Sequence, residues 1–188
     1  MSVNIAKNGV VTASMDPIDK NLLIDTLKDS GKSHTSYNIA DFNFSESLVS
    51  GNKYTIIAKV ITSSEKQSIN FYHSGGSYNM SSWIPIAEDG IYKKTFTATS
   101  NMASQTSGAG HGFCRVYASN NNGQQGSTTV TGTANVEWIK LYAGEKDSMW
   151  TPNETDSYFT TNYHGFIEND SIAKVFEGHI EANQIYEI

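Results

Sequence analysis

Cysteine is almost missing from this chain: Cys114 stands alone in 188 residues. A lone thiol closes no internal disulfide, so the fold does not depend on oxidation. Flanked by Phe113 and Arg115 in a strand-like run and without an acid–base partner pattern, it reads as a small buried hydrophobe. Charge is also sparse, at 17% of residues, which excludes the highly charged disordered class. No apolar run approaches the ~18 residues that a membrane-spanning helix needs, and residues 1–11 are too short and polar to act as a signal peptide. Basic residues all but vanish near the end: residues 147–188 hold Lys174 alone against eight acids, whereas residues 1–146 are nearly neutral. With a net charge of −6 and no basic stripe, nucleic acid is an unsuitable partner.

Chemistry-bearing motifs are missing as well. His34, His73, His111, His164 and His179 show neither His-x-His nor His-Glu-x-x-His spacing, so a catalytic zinc site is not expected and each reads as a surface or loop residue. There is no Gly-x-Ser-x-Gly elbow and no phosphate-cradling glycine loop. Glu88 and Asp89 are adjacent acids at a turn; a glycosidase needs two carboxyls at a set separation, which only the fold can supply. The expectation is a protein without catalysis, cofactor or metal.

What the chain does have is short runs of alternating character separated by Ser, Asn and Gly. Residues 54–62 (YTIIAKVIT) are β-branched and aromatic, and residues 68–73 (SINFYH) return as a partner strand. Residues 91–98 place Tyr92, Lys94, Phe96 and Ala98 on one face, and residues 111–119 place Cys114, Val116 and Ala118 opposite Phe113, Arg115 and Tyr117. Residues 21–27 (NLLIDTL) are expected as a first strand, because Asp29, Ser30 and Gly31 break any helical period. Residues 28–41 read as a polar loop, after which Phe42, Phe44 and Leu48 enter the core. Residues 74–82 read as a loop displaying Tyr78, residues 99–110 and 120–126 as loops, and residues 127–131 as a short strand. About seven or eight short strands and no helix indicate an all-β protein, an antiparallel sandwich of Greek-key or jelly-roll wiring.

The most informative stretch is residues 136–156, VEWIKLYAGEKDSMWTPNETD. An alternating strand ends at Gly144 and a Trp-Thr-Pro follows, with acids at 154 and 156. It reads as the closing strand and a clasp, in which Trp138 and Trp150 are structural. The expected divisions are residues 1–20, an N-terminal hairpin arm turning at Asn8-Gly9; residues 21–146, the sandwich; and residues 147–188, the clasp and an acidic arm. Ile172-Ala173-Lys174 echoes Ile5-Ala6-Lys7, so both ends carry one strand–turn–strand phrase, with Ile5, Val11, Ile172, Ile180 and Ile185 as candidate assembly positions.

The order of these features, with Asn21-Leu22-Leu23-Ile24-Asp25, Gly51-Asn52-Lys53-Tyr54-Thr55, Asp89-Gly90-Ile91-Tyr92-Lys93, Trp138-Ile139-Lys140-Leu141 and Trp150-Thr151-Pro152, resembles the carbohydrate-binding-module-like jelly rolls of tail, baseplate and fibre proteins of tailed bacteriophages. The resemblance spans residues 21–156. It implies a jelly-roll sandwich and a non-enzymatic virion protein, a fibre, tail or capsid-decorating component. Such a protein would assemble with itself as a homo-oligomer such as a trimer and with other virion proteins. By analogy it also raises a structural calcium near Asp25 or Glu137, for which the sequence holds no acidic calcium loop.

The alternative function is recognition of a bacterial surface polysaccharide for host attachment. Sugar rings present apolar C–H faces to flat aromatics and hydroxyls to polar groups. Tyr72, Tyr78, Trp83, Arg115 and Tyr117 suit that task, with Asn79 and Asn121 as companions. Against this, Trp83 beside Ile84 and Ile86 fits a core position equally well, and the tyrosines fit sheet edges.

Overall fold

Period-two alternation becomes strands with two unlike faces, and these stack into two sheets. A computed structural model of the chain describes residues 2–5, 11–14 and 19–156, apart from 64, 76–77, 87, 127–131 and 154, with the first two segments given as backbone only. The strands are β1 (Ser2–Ile5), β2 (Val11–Ser14), β3 (Asn38–Asn43), β4 (Lys53–Thr62), β5 (Ser68–His73), β6 (Tyr78–Asn79), β7 (Ile84–Pro85), β8 (Gly90–Thr97), β9 (Phe113–Ser119) and β10 (Ala134–Ala143). One sheet has the order β10-β4-β8; the other runs β3-β9-β5-β6, with β7 also on β5. All strand pairings are antiparallel. This is an antiparallel jelly-roll β-sandwich. The hairpin β1–β2 belongs to neither sheet and pairs Ile5 with Val11. Its turn, the strand expected at 127–131 and everything after Asp156, including Ile172, Ile180 and Ile185, lie outside the described residues.

The core is the inward half of each alternation. Ile56, Ala58 and Val60 of β4 and Val136, Ile139 and Leu141 of β10 meet Phe42 of β3, Ile69 and Phe71 of β5, and Cys114, Val116 and Ala118 of β9. Each large apolar side chain buried this way stabilises the fold by roughly 1.5–3 kcal/mol. Phe44 and Leu48 join them as expected. Burial pushes the Cys114 thiol well above its ordinary range.

Five sequence expectations are corrected. The polar loop expected at 28–41 gives way to β3 from Asn38, and the loop expected at 74–82 contains β6 (Tyr78–Asn79). Residues 21–27 form no strand: Leu23 makes one isolated bridge to Phe44, and Asp25 adopts a φ of 55°, which turns the chain out of extended conformation. The loop at 99–110 contains one helical turn, α1 (Ser100–Ala103), capped by the Thr99 hydroxyl, which accepts from the Met102 amide and lets Met102 reach the core. His73 is no surface residue but is fully buried. Its ring meets Phe44 edge-on at 4.6 Å, and Nδ1 lies 2.9 Å from the Ser74 hydroxyl. A Cβ at Gly112 (φ +90°) would sit 2.3 Å from the ring, so only glycine fits over it.

The clasp closes the sandwich seam. A register shift at Glu137 turns Trp138, Lys140 and Tyr142 outward while Ile139 and Leu141 stay inward. Trp150 then lies over Trp138, with ring centroids 6.3 Å apart. Lys140 Nζ donates to Ser148 Oγ (2.8 Å) and to the Met149 carbonyl (2.9 Å), and burial lowers its pKa to about 8. Asn21, 1% exposed, binds both partners of this seam. Its Nδ2 donates to the carbonyls of Ile139 (3.0 Å) and Thr151 (2.8 Å), and its Oδ1 accepts from the amides of Leu23 and Leu141, each at 3.1 Å. Beyond it, Asp156 accepts from the amides of Asp25, Thr26 and Asn153.

Two outcomes follow from these buried groups. Asn21→Asp, isosteric but aiming a carboxylate at two carbonyls, should destabilise the sandwich by about 3 kcal/mol or more in urea unfolding; a loss under 1 kcal/mol would contradict the bridging role. Burial lowers the His73 pKa to about 4, below its ordinary 6.5. The unfolded chain therefore takes up the proton first, and stability falls as pH drops from about 6.5 towards 4. His73→Phe should lose about 2 kcal/mol less than the parent between pH 7 and pH 4.5; equal losses would show that the imidazole does not contribute.

Candidate functional site

The five-stranded sheet carries its aromatic and charged side chains on the face turned away from the core. On β9 the outward positions are Phe113, Arg115 and Tyr117, because Cys114, Val116 and Ala118 are buried. Across the ladder, Tyr72 on β5 stands opposite Arg115, and Asp41 on β3 stands opposite it on the other side. Asn38 and Asn70 flank Tyr117 in the same way. Strand pairing thus gathers on one face residues that are 30 to 80 positions apart in sequence.

Four half-buried rings line up there. Trp83 lies 5.9 Å from Tyr37, Tyr37 lies 4.8 Å from Tyr117, and Tyr117 lies 5.3 Å from Tyr72, at interplanar angles of 46°, 33° and 76°. The first two contacts are tilted and the last is edge-on, so the rings form an uneven row rather than a closed stack. Burial, and after it the hydroxyls of Tyr72 and Tyr117, raise the Tyr37 pKa, which keeps its phenol protonated near neutrality. Asn70 is buried on the same face, with Oδ1 accepting from Ser81 Oγ at 2.8 Å.

At one end of the row stands an ion pair. Arg115 Nε and Nη2 donate to Asp41 Oδ1 and Oδ2, both at 2.6 Å, the two-pronged geometry that suits guanidinium and carboxylate. The bond to Asp41 is the main cause holding Arg115 above its ordinary pKa, and Tyr117 adds to it. The guanidinium also covers the Phe113 ring at 5.2 Å. Asp41 and Arg115 side chains remain 39% and 28% exposed, so both stay within reach of a ligand.

Tyr37 is set in place by a buried cation. Lys66 Nζ donates to the carbonyls of Thr35 (3.0 Å) and Ser36 (2.7 Å), and the Ala118 amide donates to the Tyr37 carbonyl (2.9 Å). Lys66 is 1% exposed, and burial lowers its pKa to about 8.

Of the residues expected from sequence, Tyr72, Trp83, Arg115 and Tyr117 share this face. Trp83 is half-buried against Tyr37 rather than in the core, although its neighbour Ile86 is buried there. Tyr78 stands apart: it pairs with His73 in the ladder and packs against the core. Asn79 is opposite Tyr72, but its Oδ1 is taken up by the amides of Ser81 and Ser82. Asn121 belongs to the loop after β9, where its carbonyl accepts from Ser68 Oγ. Sequence reasoning missed Tyr37 and Asp41. The alternation of Ala40 and Phe42 with Asp41 could have placed Asp41 outward on a strand, but nothing local announces Tyr37.

Asp89 Oδ1 accepts from the Thr62 amide, which assigns the Glu88–Asp89 turn to strand capping. Ser47 Oγ lies 3.0 Å from His111 Nδ1 at the surface, with no carboxylate bonded to that imidazole among the described residues. Of the positions raised for calcium, Glu137 is used internally: it accepts from Ser30, Gly31 and Asn135, and these bonds lower its pKa. No group of three or more His, Cys, Asp or Glu side chains suited to a metal occurs among the described residues.

No protein-family model matches the sequence, and no curated protein matches it. Similar solved structures include the C-terminal domain of EclA, a sugar-binding protein, with a TM-score of 0.36, 14% identity, and coverage of 73% of this chain and 88% of that one. The tripod (BppUct-A-L) from the baseplate of bacteriophage Tuc2009 has a TM-score of 0.40 and 17% identity, covering 72% of this chain and 59% of that one. A carbohydrate-binding module of Cellvibrio mixtus lichenase 5A, in complex with cellotriose, has a TM-score of 0.36 and 14% identity, covering 64% of this chain and 95% of that one.

Proposed function

We propose that this β-sandwich is a non-catalytic carbohydrate-binding module whose ligand lies on the outer face of the five-stranded sheet. The observation that carries this reading is the row Trp83–Tyr37–Tyr117–Tyr72, ending at the Asp41–Arg115 pair. Sugar C–H faces stack on such rings, and the ion pair supplies donors and acceptors for hydroxyls. Strands hold Asp41, Tyr72, Arg115 and Tyr117, and the bonds of Lys66 and Ala118 fix the backbone at Tyr37, so little ordering is needed when a ligand arrives. On a glycan array followed by titration calorimetry, Trp83→Ala or Tyr37→Ala should weaken binding by about tenfold or more, the equivalent of 1.4 kcal/mol. Both variants should unfold at a temperature close to the parent's. Tyr78→Ala should instead lose stability and keep its affinity. A parent protein that binds no bacterial surface glycan on the array would sink this reading.

A second reading concerns the setting: a structural component of a tailed-phage virion, assembling through its ends with itself and other virion proteins. Two observations support it. The hairpin β1–β2 belongs to neither sheet of the sandwich, and the charge imbalance is concentrated after residue 146. The two readings are compatible, since an appendage can be built and also bind a host polysaccharide. Removing residues 157–188 should leave the sandwich's unfolding midpoint in place and convert a homo-oligomer into a monomer by light scattering. A truncated chain that still oligomerised would remove this assignment.

A further inference from the structure

Resting on the saccharide reading above, we propose that this site selects neutral sugars over acidic ones and that Asp41 sets the selection. The strands of the five-stranded sheet, β3, β5, β6, β7 and β9, contain no Asp, Glu, Lys or Arg other than Asp41 and Arg115. The opposite sheet's strands carry Lys53, Lys59, Lys93, Lys94 and Lys140 against Glu137, with Lys53 and Lys93 paired to Glu145 and Asp147 and Lys140 buried.

On the ring-bearing face the charge of the single guanidinium is compensated. Both of its prongs are held by the Asp41 carboxylate at 2.6 Å, so an approaching anion meets a compensated cation and a carboxylate that repels it. A hydroxyl meets the reverse. The Asp41 oxygens keep lone pairs for an incoming O–H, and Arg115 still has N–H groups beyond those in the fork. Gly75 keeps that end open: a Cβ there would lie 3.4 Å from Arg115 Nη1 and 3.1 Å from the Phe113 ring. The neighbouring cation, Lys66, does not offset this balance, because it is 1% exposed and bonded to two backbone carbonyls. Discrimination by an arrangement that repels the wrong ligand, rather than by extra contacts to the right one, is how specificity is commonly obtained.

The test uses matched oligosaccharide pairs that differ only in a C6 carboxylate: gluco- and glucurono-, galacto- and galacturono-, manno- and mannurono-tetrasaccharides, titrated into the full-length protein. The parent should bind the neutral member of at least one pair about tenfold or more tighter than its acidic partner. Asp41→Asn keeps an acceptor for Arg115 but removes the negative charge; it should move that ratio about tenfold towards the acidic member, and added salt should reverse the gain. Arg115→Gln should move the ratio the other way. A parent that binds the acidic member as tightly or more tightly, or a ratio unmoved by Asp41→Asn, would overturn this selectivity while leaving saccharide binding intact. A parent that binds the neutral and acidic members of no pair would overturn both.

Discussion

The buried amide of Asn21 is the constraint on which the sandwich depends. A closing strand such as β10 has one edge paired to β4 and one edge bare, and bare edges must be covered or satisfied. Asn21 does this with a single side chain: its donors take the carbonyls of Ile139 and Thr151, and its acceptor takes the amides of Leu23 and Leu141. Since Ile139 and Leu141 belong to β10 and Thr151 to the clasp, one amide locks residues 21–23 to the closing strand and to the clasp. That lock holds the clasp down over Lys140, whose ammonium replaces water with Ser148 Oγ, the Met149 carbonyl and the face of the Tyr142 ring.

With that seam closed, the two outer faces of the sandwich are free to differ. The three-stranded sheet is lysine-rich, and the clasp runs along β10. The five-stranded sheet is nearly devoid of charge and carries the aromatic row. The inward residues of the same strands are ordinary core, so stability and recognition occupy alternate positions of one ladder. Tyr117 can therefore be changed without opening the core, whereas neighbouring Val116 cannot.

The fold was legible because alternation is a local property. Residues 54–62, 68–73, 91–98 and 111–119 were each recognisable as strands from their own composition, and the split of β9 into Cys114, Val116 and Ala118 against Phe113, Arg115 and Tyr117 matches the burial seen. Where turn geometry overrode composition, sequence reasoning failed. Residues 21–27 look strand-like, but the left-handed Asp25 and the capture of its amide by Asp156 bend them into turns. Histidine is usually a surface residue, but His73 is buried because Gly112 leaves space above its ring.

By itself the sequence determined the class of protein: strands with two unlike faces, a Trp-Thr-Pro clasp, a lone inert thiol, and aromatics in excess of what the core required. Only the tertiary structure decided which aromatics meet. Tyr78 was a plausible partner for Tyr72, but β6 pairs it with His73 and turns it inward. Tyr37 sat in a polar stretch and carried no signal, yet Lys66 and Ala118 fasten its backbone beside β9. The physical reason is that a side chain's facing is set by alternation along its own strand, whereas its neighbours are set by strand order and register. Local alternation and turns constrain register, but strand order rests on hydrogen bonds between residues tens of positions apart, which the composition of one strand does not specify.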